Sequence, residues 1–65
     1  MYARETVLTA KSAGSTMYVH DGRTVAAVQD LGIGWFVWTT GTGALAERYA
    51  ERVEAERTAL ALITS

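Results

Sequence analysis

The dipeptide Asp21-Gly22 limits the fold more than any other stretch of the chain. It stands between Thr16-Met17-Tyr18-Val19-His20 and Arg23 to Gln29, two runs rich in β-prone residues. A type I′ turn needs positive φ at both central positions, and Asp-Gly flanked by such runs is the strongest short signal for it. The two-residue loop predicts a hairpin in which His20 faces Arg23, Tyr18 faces Val25 and Met17 faces Ala26. One face of this hairpin holds Met17, Val19, Thr24, Ala26 and Val28. The other holds Tyr18, His20, Arg23, Val25, Ala27 and Gln29. Register decides which face is buried, and the first set, being more apolar, is assigned to the core.

On either side of the hairpin the pattern remains that of a sheet. Glu5 to Lys11 is rich in Thr and Val and is followed by the small turn residues Ser12 to Ser15, which predicts a first strand at an edge. Gly34-Trp35-Phe36-Val37-Trp38 is the most apolar run in the chain and has the length and composition of a central strand. The turn before it, Asp30 to Gly34, decides which rings face inward. A four-residue loop, Leu31 to Gly34, sends Trp35 and Val37 to the core and leaves Phe36 and Trp38 beside Tyr18 and Arg23. A three-residue loop reverses this. In both cases about two aromatic side chains lie away from the core, because successive strand residues point to opposite sides.

From Ala44 to Ile63 the period changes to a helical one, carried by AERYAERVEAER. Leu45, Tyr49, Val53, Leu60 and Ile63 form a stripe, with Ala46 and Ala59 beside it and Glu56 interrupting it. Such a helix would be about 30 Å long, with Thr40 or Thr42 as its cap. The competing reading makes Leu45 to Ala50 a fourth strand after a Gly41-Thr42-Gly43 turn and starts the helix near Arg52. The expected fold is therefore α+β: a three- to four-stranded antiparallel β-meander packed against one long C-terminal α-helix, in a single domain spanning 1–65.

A chain of 65 residues can hold one core only, and chains this short usually need extra support from disulfides, metals or association. With no cysteine and one histidine, disulfides are excluded and the common zinc and iron ligand sets are missing. Packing or self-association is left. The formal net charge of -1 gives no general attraction to nucleic acid or anionic lipid. No run approaches the roughly 18 apolar residues of a membrane span, and no secretory leader is visible, so a cytoplasmic, complete small domain is expected.

Candidate chemistry is sparse. His20, Asp21 and Ser15 contain the residue types of a hydrolytic triad, but a histidine at a hairpin turn is ordinarily a solvated side chain. Thr39 to Gly43 lacks the lysine of a phosphate loop, and Leu31-Gly32-Ile33-Gly34 lacks the third glycine of a dinucleotide fingerprint. The alternating Glu47, Arg48, Glu51, Arg52, Glu54, Glu56 and Arg57 have the spacing of a solvated helix face. No catalytic residue, metal or cofactor is expected. The sheet residues Tyr18, His20, Arg23, Val25, Phe36 and Trp38 form the expected interaction face, since exposed aromatic and arginine side chains suit a partner surface.

In the order of its elements, Tyr18 to Ile63 resembles AP2-type DNA-binding domains and phage integrase arm-binding domains, which place sheet Arg and Trp residues in the major groove. The DGRTVAAV hairpin, the GWFVW strand and the Ala/Glu/Arg-rich tail are similar in style to small proteins of actinobacteria and their phages. The expected function is a noncatalytic protein-interaction module, a homodimer or a phage protein meeting a host partner. The alternative is nucleic-acid binding through the same aromatic and arginine face.

Overall fold

Asp21 and Gly22 both adopt positive φ, 54° and 77°, as a type I′ turn requires, and His20 pairs with Arg23 across it. The computed structural model describes residues 2–64. Five strands follow in chain order and lie side by side in that order: β1 (Leu8–Ser12), β2 (Ser15–His20), β3 (Arg23–Asp30), β4 (Trp35–Thr39) and β5 (Gly43–Ala44). Every neighbouring pair is antiparallel. One C-terminal helix, α1 (Arg52–Thr64), packs over β3 and β4. The fold is thus an α+β meander with one helix, with one strand more than the upper expectation.

Three departures from the sequence expectation matter for the site. The first strand begins at Leu8, because Arg4–Thr6 closes a single 3₁₀ turn in which the Thr6 hydroxyl donates to the Ala3 carbonyl at 2.8 Å. Short hydroxyl side chains compete in this way with strand pairing.

The second departure lies inside the hairpin. Val19 pairs with Thr24 but Tyr18 pairs with Ala26, so Val25 is an extra, bulged residue. Beyond the bulge Met17 meets Ala27 and Thr16 meets Val28. The one-residue slip exchanges the two faces of β2. Thr16 and Tyr18 turn into the core, while Met17 and Val19 turn away from it. Val25 and Ala26 both face inward.

The third departure is the helix, which starts at Arg52 rather than Ala44 and is about 20 Å long. The segment between β5 and α1 stays on the edge of β4. Leu45 donates to the Val37 carbonyl at 2.9 Å, and Tyr49 exchanges a pair of backbone hydrogen bonds with Trp35 at 2.8 and 2.9 Å. Those bonds occupy backbone groups that β4 would otherwise leave open, and they override the helix preference of Ala46 to Glu51. Of the two readings of Leu45 to Ala50, the one with the late helix start is the nearer, although the strand itself is only Gly43–Ala44.

The loop before β4 has four residues, Leu31 to Gly34. The Asp30 carboxylate accepts the Gly32 N–H at 2.9 Å, and the Leu31 N–H reaches the Gly34 carbonyl at 3.1 Å. Gly34 has φ 145°, and a Cβ there would lie 3.2 Å from the Tyr49 carbonyl oxygen and within 3 Å of the Arg48 side chain. A side chain at 34 would therefore push away the segment that seals β4. This loop length turns Trp35 and Val37 toward the helix and Phe36 and Trp38 to the other side. Ala55, Ala59 and Ile63 on α1 meet Val25, Ala26, Val28, Val37 and Tyr18 to form the core. The two alanines let the helix come close to the sheet.

Candidate functional site

With the register fixed, the sheet face turned away from α1 can be read row by row. Ala10, Met17, Ala27, Trp38 and Ala44 are successive partners across all five strands. A second row runs Leu8, Val19, Thr24, and a third runs Ser12, Ser15, Gln29, Phe36. None of these twelve side chains carries a charge. Trp38 keeps 38 % of its surface in solvent and Leu8 keeps 75 %. Leu31, 59 % exposed, and Leu45 border a shallow depression of about 410 Å³ floored by Met17, Ala27, Phe36 and Trp38. Sheets with one solvated face normally place polar residues on it. Here that face holds no charge, and the row that crosses all five strands is apolar throughout.

The six residues expected to form one interaction face are divided between the two sides. Phe36 and Trp38 lie on the open face. Tyr18 and Val25 do not, since each is only 2 % exposed in the core, a consequence of the bulge at Val25. His20 lies on the helix side, its ring 4.6 Å from that of Tyr2 and its Nδ1 3.2 Å from the Thr6 carbonyl oxygen. Arg23 is exposed beside it at the hairpin tip. Met17, Val19 and Thr24, assigned to the core from the sequence, belong to the open face. The composition of the β2 and β3 runs gives no sign of this, because the bulged position carries an ordinary valine.

The helix side holds the polar chemistry. The Thr16 hydroxyl, fully buried, donates to Glu56 Oε2 at 2.6 Å and accepts from the Arg52 guanidinium at 2.7 and 3.1 Å. Arg52 also donates to the carbonyls of Ser15 and Ala13, and its guanidinium lies 5.1 Å above the Trp35 ring. Lys11 reaches Glu56 from β1 at 3.2 Å. These contacts fix the first turns of α1 to β1 and β2. Burial alone would push the Glu56 carboxyl up, but the hydrogen bonds from Thr16 and Lys11 and the charges of Lys11 and Arg52 outweigh it and hold the group below its ordinary value of 4.5. Burial, followed by the nearby Glu56 charge, pushes the Tyr18 phenol up to about 12.

The two shifts set the limits of the stability profile. Glu56, with its folded pKa depressed, contributes stability that is present above about pH 4.5 and is lost as pH falls through its lower folded value. Tyr18, with its folded pKa raised, contributes stability that is present below pH 10 and is lost as pH rises toward about 12. Urea unfolding midpoints across pH should fall at both ends, and Tyr18→Phe should remove the alkaline loss that Tyr18 causes. An unchanged alkaline limb in that variant would contradict the assignment.

The residue types of a hydrolytic triad are not brought together. Ser15 and His20 stand at opposite ends of β2, about 17 Å apart along the strand. Among the described residues no group of three or more His, Cys, Asp or Glu could hold a metal ion, and no helix is long and apolar enough to cross a membrane. No protein-family model, no curated protein and no solved structure matches the chain.

Proposed function

We propose that the chain is a noncatalytic interaction module that works as a homodimer, closed through the open faces of two sheets. The uncharged row Ala10, Met17, Ala27, Trp38, Ala44 carries this reading. A face crossing five strands without a charge gains little from water, and a second copy supplies the same apolar chemistry in a self-complementary arrangement. Two sheets packed at about 30° would give four layers, with helix outermost on each side. Four strands at about 4.8 Å spacing and about 17 Å of strand length, with the two residues of β5 beside them, make a face of roughly 350 Å² in projection. Enlarged by Leu31 and Leu45 at the rim, this lies toward the small end of protein interfaces.

The nucleic-acid alternative loses its main support, because the open face lacks the cations that phosphate contacts require. Sedimentation equilibrium over a wide concentration range tests the dimer. The expected result is a monomer–dimer equilibrium that Trp38→Glu weakens about 100-fold or more, because a carboxylate would then be desolvated at the centre of the interface. Circular dichroism should show that the variant remains folded. A wild-type chain that stays monomeric at about 1 mM would refute the proposal.

A further inference from the structure

The sheet has two edges of unequal kind. β5 has two residues, whereas β1 has five, all exposed, paired with β2 on one side only and in unbroken register from Leu8 to Ser12. Edge strands are usually protected by proline, bulges, charged side chains or a covering element, and the one charge on β1, Lys11, is engaged by Glu56 of α1. β1 has no proline and no bulge, and α1 lies over β3 and β4 instead. A row of backbone donors and acceptors is therefore open along β1.

Beside that edge, the displaced helix leaves a groove of about 690 Å³ between β1 and α1. Its floor includes Thr9, Lys11 and Tyr18, and its helical wall includes Val53, Arg57 and Leu60. Arg4 stands in the lining as well. Three cations thus meet one carboxylate, Glu56, which is already held by Thr16, Arg52 and Lys11. Among the described residues Arg4 and Arg57 have no carboxylate partner. The net positive potential is local, in a chain whose formal charge is -1.

We propose that β1 and this groove form a docking site for an extended acidic peptide segment that adds to the sheet as a sixth strand. Backbone pairing along β1 supplies the common part of the affinity, and alternate side chains supply the selection. Residues of the added strand on the helix side come to lie next to Thr9 and Lys11, within reach of Arg4 and Arg57, and are acidic. Residues on the other side continue the rows of Leu8 and Ala10 and are apolar. The wall from Val53 to Thr64 spans about 17 Å, the length of about five strand residues.

A heptapeptide of alternating glutamate and valine is the probe, titrated against isotopically labelled Trp38→Glu protein so that the sheet face is blocked from pairing with itself. Amide shifts are expected to concentrate at Leu8 to Ser12. Arg4→Glu together with Arg57→Glu should weaken binding about tenfold or more, as should a rise in salt. A peptide with lysine in place of glutamate should produce no such shifts. Equal response to the lysine peptide, shifts centred on Met17 and Ala27 in place of β1, or no response at about 1 mM would each overturn the proposal. The site lies along the outer edge of β1 and is probed with self-pairing of the open face blocked, so its failure would leave the dimer untouched.

Discussion

Tyr18→Ala is expected to remove roughly a third or more of the domain's stability. The ring is 2 % exposed and lies beneath α1 among Val25, Ala26 and Ile63, with Thr16 two residues before it on the same face of β2. Truncating a buried aromatic side chain to alanine costs about 3–5 kcal/mol, from lost transfer energy and from the cavity that stays. A domain of this length has only about 3–10 kcal/mol of total stability, so one such cavity removes about a third of it at the least and nearly all of it at the low end. If Tyr18 faced solvent, as the hairpin without a bulge would place it, the same substitution would cost less than about 0.5 kcal/mol. Urea denaturation followed by circular dichroism separates these outcomes, with Tyr18→Phe as the control that keeps the volume. A near-neutral Tyr18→Ala would mean that the register beyond Val25 is wrong.

Residues whose chemistry is local were legible before any coordinates. Asp21-Gly22 set the turn, and the four-residue alternative for Leu31 to Gly34 already contained the correct sides for Trp35, Phe36, Val37 and Trp38. The bulge at Val25 was not legible. A bulge that uses no glycine leaves no compositional mark, yet it reverses every assignment on β2. The start of α1 was hidden for a different reason. Ala46 to Glu51 consists of good helix formers, and only the open backbone of β4, met by Leu45 and Tyr49, favours the extended course.

The apolar face shows a further limit. Ala10, Met17, Ala27, Trp38 and Ala44 come from five separate strands, and three of them are alanines that attract no notice in the sequence. They form a surface only after four registers are known. The same holds for the cationic groove, whose Arg4, Lys11 and Arg57 are 7 and 46 positions apart along the chain. The two surfaces nevertheless share a cause. A single short helix covers the middle of one side of a five-stranded sheet, which leaves the whole of the other side and one flank of its own side available to partners.

Thr16→Val is expected to cost about 3 kcal/mol although it changes almost no volume. Valine suits a strand as well as threonine does, so neither the backbone nor the packing around β2 gives a reason for loss. The hydroxyl is the difference, since it joins Arg52 to Glu56 inside the structure. Hydrogen bonds to charged groups contribute about 1.5–3 kcal/mol each, and removing the buried hydroxyl from this part-buried cluster leaves Arg52 and Glu56 with fewer partners on the side turned from solvent. The retained contacts of Lys11 with Glu56 and of Arg52 with the Ser15 carbonyl keep the loss below the sum of its parts. For a domain of this size the melting temperature should fall by about 10–20 °C. The acid limb should move as well, because a Glu56 carboxyl that loses the Thr16 donor titrates closer to its ordinary value, so less of the acid-sensitive stability remains to be lost. A Thr16→Val protein with unchanged melting temperature and unchanged acid limb would show that Arg52, Glu56 and Lys11 are a solvated surface cluster, and that α1 is held by Ala55, Ala59 and Ile63 alone.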